Sequence, residues 1–149
     1  MTERTSALIP LRWSDMDAYG HVNNVQYLRL LEDARIAGFE DWFGPHGSES
    51  LLEGGVIVAR TEVEYLRPLV YRRAPVQIDM WVSRLGGASF DVGYELRDPA
   101  EMGDAVYMRA ETTMSAYDFA GERPRRLRDS EREVLRSRLA EPVALRRRR

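Results

Sequence analysis

The sequence predicts an α+β fold, with one long helix packed on one face of a curved antiparallel sheet. Three observations carry this. The segment from about Asn24 to Phe43 has the apolar period of a helix. Four later segments alternate polar and apolar residues with period two. Those four follow one another through short connections holding Gly and Pro, with no long helix between them, which favours antiparallel pairing.

Each element has its own signature. "ALIPLRW" (7–13) is expected as a first strand. In the helix, Val25, Leu28, Leu31, Ala34, Gly38 and Trp42 recur every three or four residues and fall on one stripe. Asn23 or Asn24 suits the N-cap, because its side chain can accept from an amide of the first turn. Gly38 costs about 1 kcal/mol relative to Ala inside a helix, which makes sense if a strand lies close to it. "FGPHG" (43–47) stops the helix. The strands follow at 56–66, 76–82, 90–96 and 105–118. Ile57, Ala59, Thr61, Val63 and Tyr65 share one face of the first of these. Phe90, Val92, Tyr94 and Leu96 oppose Asp91 and Glu95 in the third. "DSEREVLRSRL" (129–139) forms a short terminal helix, ending before Pro142.

A chain of 149 residues fits one domain. Residues 1–141 are expected to form it and 142–149 to be a flexible basic tail. Composition is that of a globular protein, 44% hydrophobic and 31% charged, and no apolar run nears the roughly 20 residues that span a bilayer. The N-terminus lacks the basic and apolar regions of a signal peptide. These features lead to the expectation of a cytoplasmic protein without a membrane association. Without cysteine, disulfide and thiolate chemistry are excluded. The net charge of −2 hides an asymmetry: residues 1–120 hold 11 Arg against 19 acids, residues 121–149 hold 11 Arg against 5. Every basic residue is arginine, which binds phosphate through a bidentate fork. The C-terminal region suits a phosphorylated ligand, an acidic partner or nucleic acid, or is simply a solvated helix and tail. Nucleic acid rests only on "RRRR" (146–149), which has no aromatic interleaving, and is not expected.

Several chemistries have no sequence basis. There is no G-x-S-x-G elbow, no P-loop or dinucleotide fingerprint, and only two histidines, far apart, for a metal. No metal and no cofactor are therefore expected, and catalysis falls to carboxylates, His21, backbone amides and water. "WSDMDAYGHVNNVQYL" (13–28) concentrates such groups just before the helix. A carboxylate there can attack a carbonyl or take a proton from water. The amides of a helix's first turn can hold the resulting oxyanion. Asp17 with helix-start amides is a minimal acyl-transfer site, and a purely structural cap is the alternative.

"RWSDMDAYGHVNNVQYLRLLEDAR" (12–35) resembles the signature of the hotdog-fold acyl-CoA thioesterases of the 4-hydroxybenzoyl-CoA thioesterase-like family, in its H-V-N-N form. Asp15, Asp17, Gly20, His21, Val22, Asn23, Asn24 and Tyr27 match D-x-D-x-x-G-H-V-N-N-x-x-Y without a gap. The likeness continues through "VEYLRPLVYRRAPV" (63–76), "GGASFDVGYEL" (86–96) and "GERPRRL" (121–127). It implies a hotdog fold and hydrolysis of acyl-CoA to a free acid and CoA. It makes Asp17 the nucleophile or general base, and the backbone amide near Asn24 the group that polarises the thioester carbonyl. His21 takes a supporting role, because Tyr19 stands where carrier-protein relatives have the asparagine of D-x-N-x-H. Asp15 braces the loop by accepting from backbone amides. Tyr19, Asn23 and Tyr27 are implied beside the substrate, and Arg84, Ser89, Arg123, Arg125 and Arg126 at the CoA end. Gly86 and Ala88 stand where some relatives carry basic residues, while Arg125 falls where one relative has a phosphate-binding arginine. Tyr65 and Pro68 are assigned to architecture. The resemblance also implies a homodimer or homotetramer with its site at the subunit interface. The alternatives are an acyl-carrier-protein thioesterase and a non-catalytic acyl-CoA-binding protein. Fatty-acyl groups are expected ahead of aryl ones.

Overall fold

Pro10 has no amide proton to give to a ladder, and the first strand ends just before it. Strand β1 therefore covers Thr5–Ile9 rather than 7–13, and Trp13–Asp15 form a single 3-10 turn. The computed structural model describes residues 4–44 and 55–146. After β1 come helix α1 (Asn24–Phe43), β2 (Val56–Tyr65), β3 (Val76–Leu85), β4 (Ser89–Arg97), β5 (Val106–Asp118), the two-residue β6 (Arg123–Pro124) and helix α2 (Asp129–Ser137). The sheet runs β1-β3-β4-β5-β2, with every pair antiparallel and β6 added to β5. Its one long helix, short terminal helix and curled antiparallel sheet are those of the hotdog fold expected above. The stop at "FGPHG" begins within the described residues, with Gly44 at φ 91°; Pro45 to Gly47 lie outside them.

The core lies between α1 and the inner face of the sheet. Val76, Ile78, Met80 and Val82 of β3 meet Phe90, Val92, Tyr94 and Leu96 of β4 there, all buried, beside Met108, Ala110, Met114 and Ala116 of β5. On α1 the buried residues are Tyr27, Leu30, Leu31, Ala34, Gly38, Phe39 and Trp42. The expected stripe is thus correct from Leu31 onward, whereas Val25 and Leu28 are exposed and Tyr27 and Leu30 point inward instead. Gly38 has the reason anticipated for it: a Cβ there would collide with the Met80 side chain of β3.

A bulge at β2 corrects another expectation. Pairing with β5 shifts between Val58 and Arg60, which leaves Ala59 as the extra residue. Val56 and Val58, not Ile57 and Ala59, share the inner face with Thr61, Val63 and Tyr65, since these are the residues opposite Ala116, Met114, Thr112, Ala110 and Met108. β2 is an edge strand, and Val58 and Tyr65 on its inner face are each 48% exposed.

The outer face of the sheet is largely covered. Residues 142–146, expected as the start of a flexible tail, lie on it with Val143 and Leu145 buried against Trp81. Leu139 pairs in parallel with Val82, and the Trp81 indole N–H donates to the Glu141 carbonyl at 2.7 Å. Gly93 leaves room for this strap, because a Cβ there would come within 2.7 Å of both Trp81 and Val143. Beside it, buried carboxylates are paired: Glu95 with Arg4, Arg97 and Arg109, and Asp91 with Arg84.

Candidate active site

Asp15 and Asp17 lie two residues apart and have opposite surroundings. Asp15 is wholly buried and accepts from the Arg12 amide at 2.8 Å, Arg12 Nε at 3.1 Å and Arg29 Nη2 at 2.8 Å. A carboxylate desolvated this fully has to be paired with donors, and here they tie the loop to α1. Asp15 is a brace, as read from the sequence, with two guanidinium groups added to the backbone amide.

Asp17 begins a tight loop. Its Oδ1 accepts from the Tyr19 amide at 2.9 Å, and its own amide donates to the His21 carbonyl at 2.9 Å. Gly20 closes the loop at φ 77°, a left-handed conformation that glycine adopts without strain. The loop is clamped by three further contacts: Met16 bridges to Val22, His21 bridges to Val70, and the Val22 amide donates to the Leu69 carbonyl at 2.7 Å. The Asn23 amide then donates to the Asp15 carbonyl at 2.9 Å, which sets the start of α1.

Asn23 is the N-cap. Its Oδ1 accepts from the Val25 amide at 3.0 Å and its carbonyl from the Gln26 amide at 2.9 Å. The Asn24 amide has no acceptor among the described residues, and it sits at the positive end of the helix dipole. Tyr65 secures the same turn by donating its hydroxyl to the Asn24 carbonyl at 3.0 Å. Burial raises the pKa of Tyr65, and burial is also the main cause of the rise at Tyr27, so both phenols stay protonated at neutral pH. Their rings meet edge to face, 5.1 Å apart.

Asp17, His21, Asn24 and Tyr27 open together on one cleft of about 420 Å³, with Val22, Tyr65, Leu66, Arg67 and Pro68 completing its wall. Tyr19 stands beside it, 85% exposed. Tyr65 and Pro68, read from sequence as architecture, are thus part of the cleft wall. Arg67 was not singled out at all, although the segment carrying it, "VEYLRP", was recognised. The Val70 bridge to His21 is what brings this segment to the cleft, and pairing between such distant residues is invisible in a linear pattern.

The five residues expected at the CoA end lie away from this cleft. Ser89 pairs with Ser115 at one end of the sheet, and Tyr65 pairs with Met108, itself opposite Leu96, at the other. Seven residues of strand separate those ends, about 23 Å. Arg84 is bound to Asp91 at 2.9 and 3.1 Å and to Ser89 Oγ at 2.9 Å. Arg125 is bound to both oxygens of the buried Glu131 at 2.9 Å each and to the Gly55 carbonyl at 3.1 Å. Arg123 and Arg126 are exposed, and the Arg126 guanidinium lies over Gly87. Among the described residues no group of three or more His, Asp or Glu side chains converges as metal ligands would.

A comparison with protein families matches residues 11–139 to the Thioesterase-like superfamily. The chain belongs to that superfamily. Among solved structures, this thioesterase-like chain is 34% identical to a Pseudomonas aeruginosa protein carrying a provisional thioesterase name. That match covers 86% of this chain and 95% of the other, with a TM-score of 0.72. It is 30% identical to a Xanthomonas campestris protein with a provisional acyl-CoA thioesterase name, over 78% of this chain and 96% of that one, with a TM-score of 0.67. A Thermus thermophilus thioesterase solved with coenzyme A and zinc is 28% identical, over 89% and 91% of the two chains, with a TM-score of 0.74. No curated protein matches. No helix of the described part of this thioesterase-like chain is long and apolar enough to cross a membrane.

Proposed function

We propose that this protein hydrolyses acyl-CoA thioesters to a free carboxylic acid and CoA, at the cleft formed by Asp17 and the start of α1. The observation that carries the reading is that Asp17 and Asn24, whose amide has no acceptor among the described residues, line one cleft. A thioester carbonyl between them meets a nucleophile or base on one side and an oxyanion donor on the other. Asp17 either attacks the carbonyl carbon, giving an acyl-aspartyl anhydride that water then hydrolyses to the free acid, or deprotonates the water that attacks directly. The Asn24 amide stabilises the negative oxygen, and CoA leaves as the thiolate. His21, Asn23 and Tyr65 hold this geometry. The CoA thioesterase name of one relative and the bound CoA of another support the choice of thioester.

The separation of Asp17 from the arginine-rich end argues that the working unit is a homo-oligomer. Two copies paired antiparallel along their exposed β2 edges would set the Asp17 end of one against the Ser89 end of the other. In that arrangement the exposed Arg123 and Arg126 of the second copy face the CoA phosphates. On the outer face, by contrast, Trp81 is covered by Val143 and Leu145 of the same chain. A cytoplasmic setting fits this use of CoA.

The exposed arginines 123, 126, 128 and 136 favour a second reading, in which the thiol carrier is an acidic acyl carrier protein. A panel of short, medium, long-chain and aromatic CoA esters, with medium-chain acyl carrier protein beside them, tests both by thiol release. Turnover of CoA esters supports the proposal. Turnover of the carrier-bound ester alone supports the second reading, and turnover of none contradicts both.

A further inference from the structure

Arg67 lines the cleft that holds Asp17, and the chemistry proposed above gives it no task. Among the described residues it is the one arginine on that cleft, beside Asp17, His21, Asn24 and Tyr27. Its backbone is held on both sides. The Leu66 and Arg67 amides both donate to the Tyr107 carbonyl, at 2.8 and 3.4 Å. Pro68 fixes the next φ, and Leu69, which is buried, accepts from the Val22 amide through its carbonyl. Arg67 itself is exposed, and its guanidinium has no hydrogen-bond or ion-pair partner among the described residues.

Neighbouring arginines are committed to carboxylates of the chain. Arg12 and Arg29 bind Asp15, and Arg72 binds Asp98. The Arg67 charge also acts on Asp98. That carboxylate, however, takes its hydrogen bonds from Arg72 and the Tyr107 hydroxyl, so Arg67 is not needed to satisfy it. The fold thus fixes the backbone of this residue and leaves its fork of donors open to the cleft.

A free guanidinium fork matches the geometry of an oxyanion, either a carboxylate or a phosphate. The phosphates of CoA lie beyond the neutral pantetheine arm from the sulfur, and the pairing of copies proposed above assigns them to Arg123 and Arg126. An oxyanion held in the cleft together with the thioester therefore belongs to the acyl group. Such a group would be repelled by Asp17 unless a cation met it, and Arg67 supplies that cation. A cleft of about 420 Å³ keeps the two ends of the acyl group within a few carbons of each other.

We infer that Arg67 is a specificity residue that binds a carboxylate at the far end of a short acyl group, so that the preferred substrates are CoA monothioesters of short dicarboxylic acids. The inference rests on the thioesterase reading above and names its substrate class. It departs from the plain fatty-acyl groups favoured by sequence alone.

The test measures thiol release from adipoyl-CoA and hexanoyl-CoA, equal in length and differing in the terminal carboxylate, by the wild type and Arg67→Gln. Hexanoyl-pantetheine, which lacks the phosphates, is assayed beside them. The wild type is expected to favour adipoyl-CoA in kcat/KM by roughly 10-fold or more, the worth of a hydrogen bond to a charged group. In Arg67→Gln that ratio falls to near one. Equal hydrolysis of the two CoA esters by the wild type overturns the inference and leaves the thioesterase reading standing. A preference that survives in Arg67→Gln also overturns it. A loss shared by both CoA esters and absent with hexanoyl-pantetheine makes Arg67 a phosphate contact, which overturns it too. Hydrolysis of none removes the thioesterase reading and the inference together. Should Arg67→Gln fail to fold, Arg67→Lys decides by the same ratio, which loss of the bidentate fork must lower.

Discussion

Replacing Arg125 by alanine separates a structural role from a ligand role at one residue. Arg125 places two hydrogen bonds of 2.9 Å on Glu131, whose side chain is only 1% exposed, and reaches across to the Gly55 carbonyl. Without it the Glu131 carboxylate keeps the Arg128 amide at 2.7 Å but loses its counter-charge. Removing one partner of such a buried pair costs about 3–5 kcal/mol. For a chain of this size that is a fall in Tm of roughly 6–20 °C. Thermal melts followed by circular dichroism at neutral pH measure it. Acid adds a signature. Burial alone would raise the Glu131 pKa, but hydrogen bonds from Arg125 and the Arg128 amide, with the charges of both arginines, hold it below the ordinary glutamate value. A depressed carboxylate contributes stability above its unfolded pKa and loses it as pH falls through the folded one. The wild-type advantage over Arg125→Ala should therefore shrink on acidification below the ordinary glutamate range. Arg125→Met combined with Glu131→Leu should recover most of the lost stability. A Tm within about 2 °C of wild type, accompanied by a raised KM for CoA esters, would refute this reasoning and make Arg125 a phosphate contact.

Other expectations follow from single features. Gly20→Ala forces a Cβ onto a left-handed residue in the loop that carries Asp17. It should cost about 1 kcal/mol in a melt and lower kcat more than it raises KM. Val143→Ala should loosen the strap over Trp81 and lower stability by about 1–3 kcal/mol. It should also shift Trp81 fluorescence to longer wavelength; unchanged emission would mean that the strap does not shield the indole.

What was legible from sequence follows from the range of each interaction. The bounds of α1 were read correctly because Asn23 and Gly44 act locally, as cap and stop. The buried ends of the strands were harder. β1 stops at Pro10 for want of a donor, a local rule that the expected 7–13 strand overlooked. The bulge at Ala59 inverted the assigned face of its N-terminal half, because a period-two count carries no marker for an inserted residue. Val143 and Leu145 looked like tail, since two apolar residues among arginines carry no periodicity, and only Trp81 and Gly93 give them a seat. In the site, the residues next to one another in sequence, Asp17 to Tyr27, fall on one cleft because a short loop and a helix start hold them. Tyr65 and Pro68, assigned to architecture from sequence, arrive there with Leu66 and Arg67 through the Tyr65 bond to Asn24 and the Val70 bridge to His21, contacts that a linear pattern does not display. The five CoA-end residues depend on sheet register, which places them at the opposite end, and on the carboxylates that occupy Arg84 and Arg125.

The central claim is that Asp17 performs the chemistry, and the most direct measurement is the turnover of Asp17→Asn on the best CoA ester of the panel. Asparagine keeps the size of the side chain and its ability to accept from the Tyr19 amide, so the loop and the melting temperature should be preserved. The account predicts a kcat at least ~100-fold below wild type, the lower range for a positioned acid–base group. A folded Asp17→Asn protein that turns over within a few-fold of wild type would contradict it.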